Sequence, residues 1–126
     1  MKNEFIPYEQ ALELKQLGFN EPCFGYYLDN KFQFFADVRS CNTNSEFGFY
    51  PTALTYSQAF RWFREEYVLD SIVQPTYSTK YQYRVFKVEA KSKVQVYGDY
   101  MSKEFNTYEE AELACLKKLI EIAKNK

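Results

Sequence analysis

Thr55-Tyr56-Ser57-Gln58-Ala59-Phe60-Arg61-Trp62-Phe63-Arg64-Glu65-Glu66-Tyr67 carries its apolar side chains at helical spacing. Tyr56, Ala59, Phe60, Phe63 and Tyr67 follow the pattern i, i+3, i+4, i+7, i+11, which places them on one stripe facing a core. Thr55 fits the N-cap position and Gln58, three residues later, completes a capping box that satisfies orphan backbone donors. Trp62 lies off the stripe. It is read either as packing against a neighbouring element or as an exposed aromatic that meets a partner.

The start of this helix recurs on both sides. Pro7-Tyr8-Glu9-Gln10-Ala11 and Thr107-Tyr108-Glu109-Glu110-Ala111 repeat Thr55-Tyr56-Ser57-Gln58-Ala59. Pro7 is expected at the first helical position, where a missing N–H costs nothing. Thr107 and Glu110 form a second capping box. In each copy the tyrosine is expected on the apolar face. The interval between copies, about fifty residues, invites a repeat reading, namely a duplicated helix-strand-strand unit followed by a third helix.

Between the helices the sequence reads as strands. The first helix runs from Pro7 to Leu17 and stops at Gly18, a residue suited to a left-handed cap. Cys23 to Leu28 and Lys31 to Phe35 flank Asp29-Asn30, which fits a two-residue hairpin turn. Residues 37–51 read as a loop pinned by Phe47, Phe49 and Tyr50. Ser71 to Gln74 is a strand ended by Pro75, and Tyr81 to Val88 a longer one, with Tyr81, Tyr83 and Val85 alternating against Gln82 and Arg84. Val94 to Tyr97 is a shorter partner strand, and Gly98-Asp99 marks a turn. The last helix, Tyr108 to about Lys124, sets Ala111, Cys115, Leu116, Leu119, Ile122 and Ala123 against a charged face. The expectation is a single α+β domain over residues 1–126. It has an antiparallel sheet of about four to five strands with three helices on one face, in the order α-β-β-α-β-β(-β)-α.

Composition narrows the chemistry. The chain has 126 residues, 46% hydrophobic and 26% charged, with sixteen basic and seventeen acidic side chains and a formal net charge of -1. That balance is globular and gives no bulk attraction to nucleic acid or anionic membrane. No apolar run reaches the roughly eighteen residues of a membrane span, and the residues after Met1 do not lead into a signal-peptide core, so a cytoplasmic protein is expected. There is no histidine, which removes the usual general base and the Ser-His, Cys-His and two-histidine metal arrangements. Cys23, Cys41 and Cys115 are scattered and odd in number, so free thiols are expected and zinc is not. No glycine-rich phosphate loop occurs. Catalytic, cofactor and metal residues are therefore expected to be none.

Residues 5–12, 17–27, 56–64 and 107–113, which include Phe19-Asn20-Glu21-Pro22-Cys23-Phe24-Gly25 and Phe60-Arg61-Trp62-Phe63-Arg64, together resemble a family of small proteins of bacteriophages and prophages of gut Bacteroidetes. The two interhelical segments do not carry the resemblance. That family has no known activity, so the resemblance transfers no functional residue. It implies a setting, a phage-encoded protein inside a bacterial host.

Aromatic residues make up 20% of the chain. Burial in a small sheet protein is their common fate, but Tyr, Trp and Arg are also frequent interface anchors. The leading expectation is a non-enzymatic accessory protein that binds a host or phage protein or associates with itself, through Trp62, Arg61, Phe47, Phe49 and Tyr50. The alternative is nucleotide or single-stranded nucleic-acid binding by stacking on Tyr81 and Tyr83 beside Arg84 and Lys87. Bulk charge and the acids Glu109, Glu110 and Glu112 opening the last helix weigh against a phosphate partner.

Overall fold

The computed structural model describes residues 4–34, 43, 50–87 and 97–125. Phe47 and Phe49, most of the residue 37–51 loop and the expected strand start at Val94 lie outside the described residues. The described elements are α1 (Tyr8–Leu17), β1 (Gly25–Leu28), β2 (Lys31–Phe34), β3 (Thr52–Ala53), α2 (Tyr56–Tyr67), β4 (Leu69–Pro75), β5 (Tyr81–Lys87), β6 (Tyr97–Met101) and α3 (Tyr108–Lys124). The class is α+β and the element order roughly follows the sequence reading, with the unexpected strand β3 added before α2. The strands divide into two antiparallel three-stranded sheets, β2-β1-β3 and β4-β5-β6, instead of forming one sheet. Correspondingly, the chain resolves into two compact units, Met1–Gln58 and Ala59–Lys126, with the boundary inside α2.

In the first unit, Asp29 and Asn30 both have positive φ, 48° and 71°. That geometry belongs to the hairpin turn whose twist matches its strands, and it sets the register Leu28↔Lys31, Tyr27↔Phe32, Tyr26↔Gln33, Gly25↔Phe34. β3 joins the other side of β1, and Ile6 N–H donates to Leu54 O at 3.0 Å, carrying the entering chain alongside. Helix α1 begins one residue later than expected. Pro7 is extended, with ψ 159°, and stands as the N-cap. Gly18, at φ 103°, ends the helix in the left-handed region, as a C-terminal glycine does without steric cost.

One face of this sheet is built from rings. Phe5 lies 4.6 Å from Phe32, Phe32 4.7 Å from Phe34, Tyr27 5.9 Å from Phe32 and Tyr8 5.8 Å from Tyr27, centroid to centroid. Tyr27 also donates its hydroxyl to the Ile6 carbonyl. Gly25 makes room for this cluster, since a Cβ there would meet the Phe32 ring at 2.8 Å and Gln33 O at 2.6 Å.

The capping box at α2 is complete: Thr55 N–H donates to Gln58 Oε1 at 3.0 Å and Gln58 N–H to Thr55 Oγ1 at 3.1 Å. At α3, Glu110 N–H donates to Thr107 Oγ1 at 3.1 Å. Tyr56 is buried at the start of α2, whereas Tyr108 is exposed at the start of α3, edge-on to Tyr81. The shared motif thus places its tyrosines differently.

In the second unit α3 packs on one face of β4 and β5. Ala111, Cys115, Leu116, Leu119, Ile120 and Ala123 are buried on it, facing Leu69, Tyr83 and Val85, themselves buried. Ile120 thus takes the buried place expected of Ile122. Gly98-Asp99 is not a turn but part of β6. Val85 pairs with Tyr100 and Lys87 with Tyr97, so two residues oppose Phe86, which is the definition of a β-bulge. The two helix-hairpin segments also differ in topology. The third strand adds to the first hairpin strand in one sheet and to the second in the other.

Candidate interaction surface

Strand alternation divides the second sheet into a face under α3 and an outer face. On the outer face Ile72 pairs with Arg84, and Arg84 with Met101, so the three side chains form one row across β4, β5 and β6. Asp70 pairs with Phe86 in the next row. The Arg84 guanidinium lies 5.7 Å from the centre of the Phe86 ring, within cation–π range. Ile72 and Met101 are 44% and 47% exposed. An aliphatic, a thioether and an aromatic side chain around one guanidinium have the composition that distinguishes the centre of protein interfaces from the rest of a surface.

Of the residues expected from sequence to make contacts, Trp62, Arg61 and Tyr50 are among the described residues. Trp62 is 6% exposed and packs edge-on against Phe63 at 5.2 Å and Tyr67 at 5.5 Å, which places it in the interior, not on a surface. Arg61 is exposed on the same helix. Tyr50 is half-buried, its ring 6.5 Å from Tyr26.

The residues read for stacking lie on two faces of the second sheet. Tyr83 is buried and stacks on Phe105 at 6.2 Å, and Tyr81 stands edge-on to Tyr108 at 5.8 Å. Both belong to the face under α3, as does half-buried Lys87 by alternation, while Arg84 projects to the other side. What the sequence reading missed is Phe86, which shares Arg84's parity along the strand and was legible from the same alternation.

The titratable groups near α3 are set by burial. Cys115 is pushed up to about 12, first by burial, with a smaller rise from Glu112 and an opposing effect from Ser71. Its thiol therefore stays protonated and non-nucleophilic at neutral pH. Burial, then Glu109, raises the Glu112 carboxyl. Among the described residues no group of three or more Cys, Asp or Glu side chains is placed to hold a metal ion, and no helix is long and apolar enough to cross a membrane. Comparison of the chain with protein-family models, with curated proteins and with solved structures yielded no match.

Proposed function

We propose that this chain is a non-enzymatic accessory protein that works by binding a protein partner, in the bacterial cytoplasm that its resemblance to phage proteins implies. The observation that carries the reading is the outer face of the second sheet, where Ile72, Phe86 and Met101 surround Arg84 with their apolar surface in part exposed. Burial of such a patch against a complementary surface is worth about 25 cal/mol per Å² of apolar area, and Phe, Met and Arg are favoured where it is concentrated. Nothing in the reading requires a reactive thiol, which agrees with the protonated, buried state of Cys115.

The test is the double variant Ile72→Glu/Met101→Glu. Both positions are exposed, so the circular-dichroism spectrum should be kept and stability should move by about 0.5 kcal/mol per site at most. A host or phage protein recovered with the native chain should be retained at least tenfold less by the variant. Recovery unchanged by the two acids would end this reading. The stacking alternative gets its own arm, an oligonucleotide titration at low salt. Tight binding abolished by Arg84→Ala would replace a protein partner with a nucleic acid.

A further inference from the structure

We propose that β4 is a releasable strand, strained at both of its ends, whose departure splits the outer face of the second sheet. Val68, the single residue between α2 and β4, has φ 56°, and Thr79, in the turn that joins β4 to β5, has φ 58°. The left-handed region crowds Cβ against the following carbonyl oxygen, and a β-branched residue there is a true outlier. The first sheet gives its left-handed turn to Asp29 and Asn30, residue types that tolerate it. Neither strained side chain is buried in return: Val68 is 45% exposed, and Thr79 is exposed as well. Strain of this kind persists where the surroundings over-determine it, and they do so on the far side of each joint. Tyr67, the last residue of α2, sets its ring against Trp62 and Phe63. Tyr81, the first of β5, exchanges both backbone hydrogen bonds with Phe105.

The strand between these two joints is anchored lightly. Leu69 alone of the seven residues of β4 is buried, whereas Tyr83 and Val85 of β5 both are. Thr76 N–H donates to Lys80 O, so by the two-residue period Asp70, Ile72 and Gln74 turn their backbone groups toward β5, and Ser71, Val73 and Pro75 turn theirs away. Of the outward residues, Pro75 has no N–H, and the Ser71 N–H is taken by Asp70 Oδ1 at 2.8 Å, which suits that side of β4 poorly to a second ladder. β5 is the opposite case. Tyr81 and Tyr83 send their N–H groups to Phe105 O and Ser102 Oγ, on the β6 side, while the same period gives Gln82, Arg84 and Phe86 to β4. A strand anchored by its ladder to β5 and by one buried leucine, with strain at both ends that relaxes when it leaves, has the features of a unit that opens below the energy of global unfolding.

Release carries Ile72 out of the row it shares with Arg84 and Met101 and frees the inward backbone groups of Gln82, Arg84 and Phe86. The outer face therefore exists in two forms, whole and split. One consequence rests on the protein-binding reading above: a partner seated on the whole face holds β4 in place by mass action.

Residue-resolved hydrogen exchange on the chain alone tests the release, so no partner enters the measurement. Corrected for intrinsic rates, the amides of Ile72, Gln74, Gln82 and Arg84 should share one opening free energy. They should exchange about tenfold or more faster than Tyr83 on the same strand and than Leu116 and Leu119 in α3. Val68→Gly and Thr79→Gly, which fit a left-handed backbone, should each slow those four amides about threefold or more. Val68→Ala keeps a Cβ in the left-handed region and should slow them less. Gln82 and Arg84 as well protected as Tyr83, or exchange slowed by neither glycine, would overturn the proposal. Partner capture unchanged in Ile72→Glu/Met101→Glu would end the protein-binding reading and leave the release of β4 standing.

Discussion

The two sheets solve the same problem, covering one apolar face, with different materials. The first is closed by rings: Phe5, Tyr8, Tyr27, Phe32 and Phe34 touch in sequence, and the outer end of the series reaches solvent at Phe34. The second is closed by a helix whose aliphatic stripe shuts water out entirely at Leu116 and Leu119. Aromatic surfaces interlock through geometry and tolerate a wet rim, whereas a helix stripe excludes water along its whole length. The difference teaches that the high aromatic content has no single meaning here. Tyr83 and Trp62 are interior filling, while Phe34 belongs to both a cluster and an edge.

The largest effect that could break this contrast is at Leu119, which is fully buried. Leu119→Ala should lower unfolding free energy by about 2–5 kcal/mol, the range for a buried leucine. Phe32→Ala removes a larger side chain that is only half-buried, so about 1–2 kcal/mol is expected, less than the 3–5 of a fully buried ring. Urea unfolding of both variants decides the point, and equal losses would show the ring cluster to be as closed as the helix face.

A middle-sized effect sharpens the account of the first sheet. Gly25→Ala should cost about 1–3 kcal/mol through overpacking, because its Cβ would meet both the Phe32 ring and the Gln33 carbonyl. Adding Phe32→Leu should recover part of that loss, a non-additivity that thermal unfolding of the two single variants and the double variant would reveal.

The smallest effect belongs to the helix side. Glu112 is harder to ionise in the folded chain than at its ordinary value of 4.5, chiefly through burial and secondarily through Glu109. As pH rises, the unfolded chain gives up this proton first, so stability is lost from about that value upward, until the folded group has ionised too. Glu112→Gln should therefore be more stable than the native chain at neutral pH, and the advantage should vanish below the ordinary carboxylate value. Denaturation midpoints across that window measure it.

Much of this was legible in the residues. Asp29-Asn30 announced a turn because both positions require positive φ, and Thr55 with Gln58 announced a helix start because the box is a local hydrogen-bond pattern. Local chemistry of that kind survives any tertiary arrangement. What escaped depended on distant partners. β3 is two residues long and exists because β1 lies beside it. Gly98-Asp99 has the composition of a turn, yet pairing with β5 absorbs it as a bulge. Trp62 could not be placed from spacing alone: it lies off the apolar stripe, yet it is buried and its ring meets those of Phe63 and Tyr67. The Arg84-Phe86 pair followed from alternation once the strand was recognised, but Tyr81 and Tyr83 drew the reading to the opposite face.

The turn at Asp29-Asn30 also constrains how this gene can change. Because it holds two residues, β1 and β2 share a fixed parity. Adding or losing one codon within β2 would rotate every later side chain of the strand to the opposite face and exchange its inward and outward amides. Length variation within this hairpin should therefore accumulate in even steps.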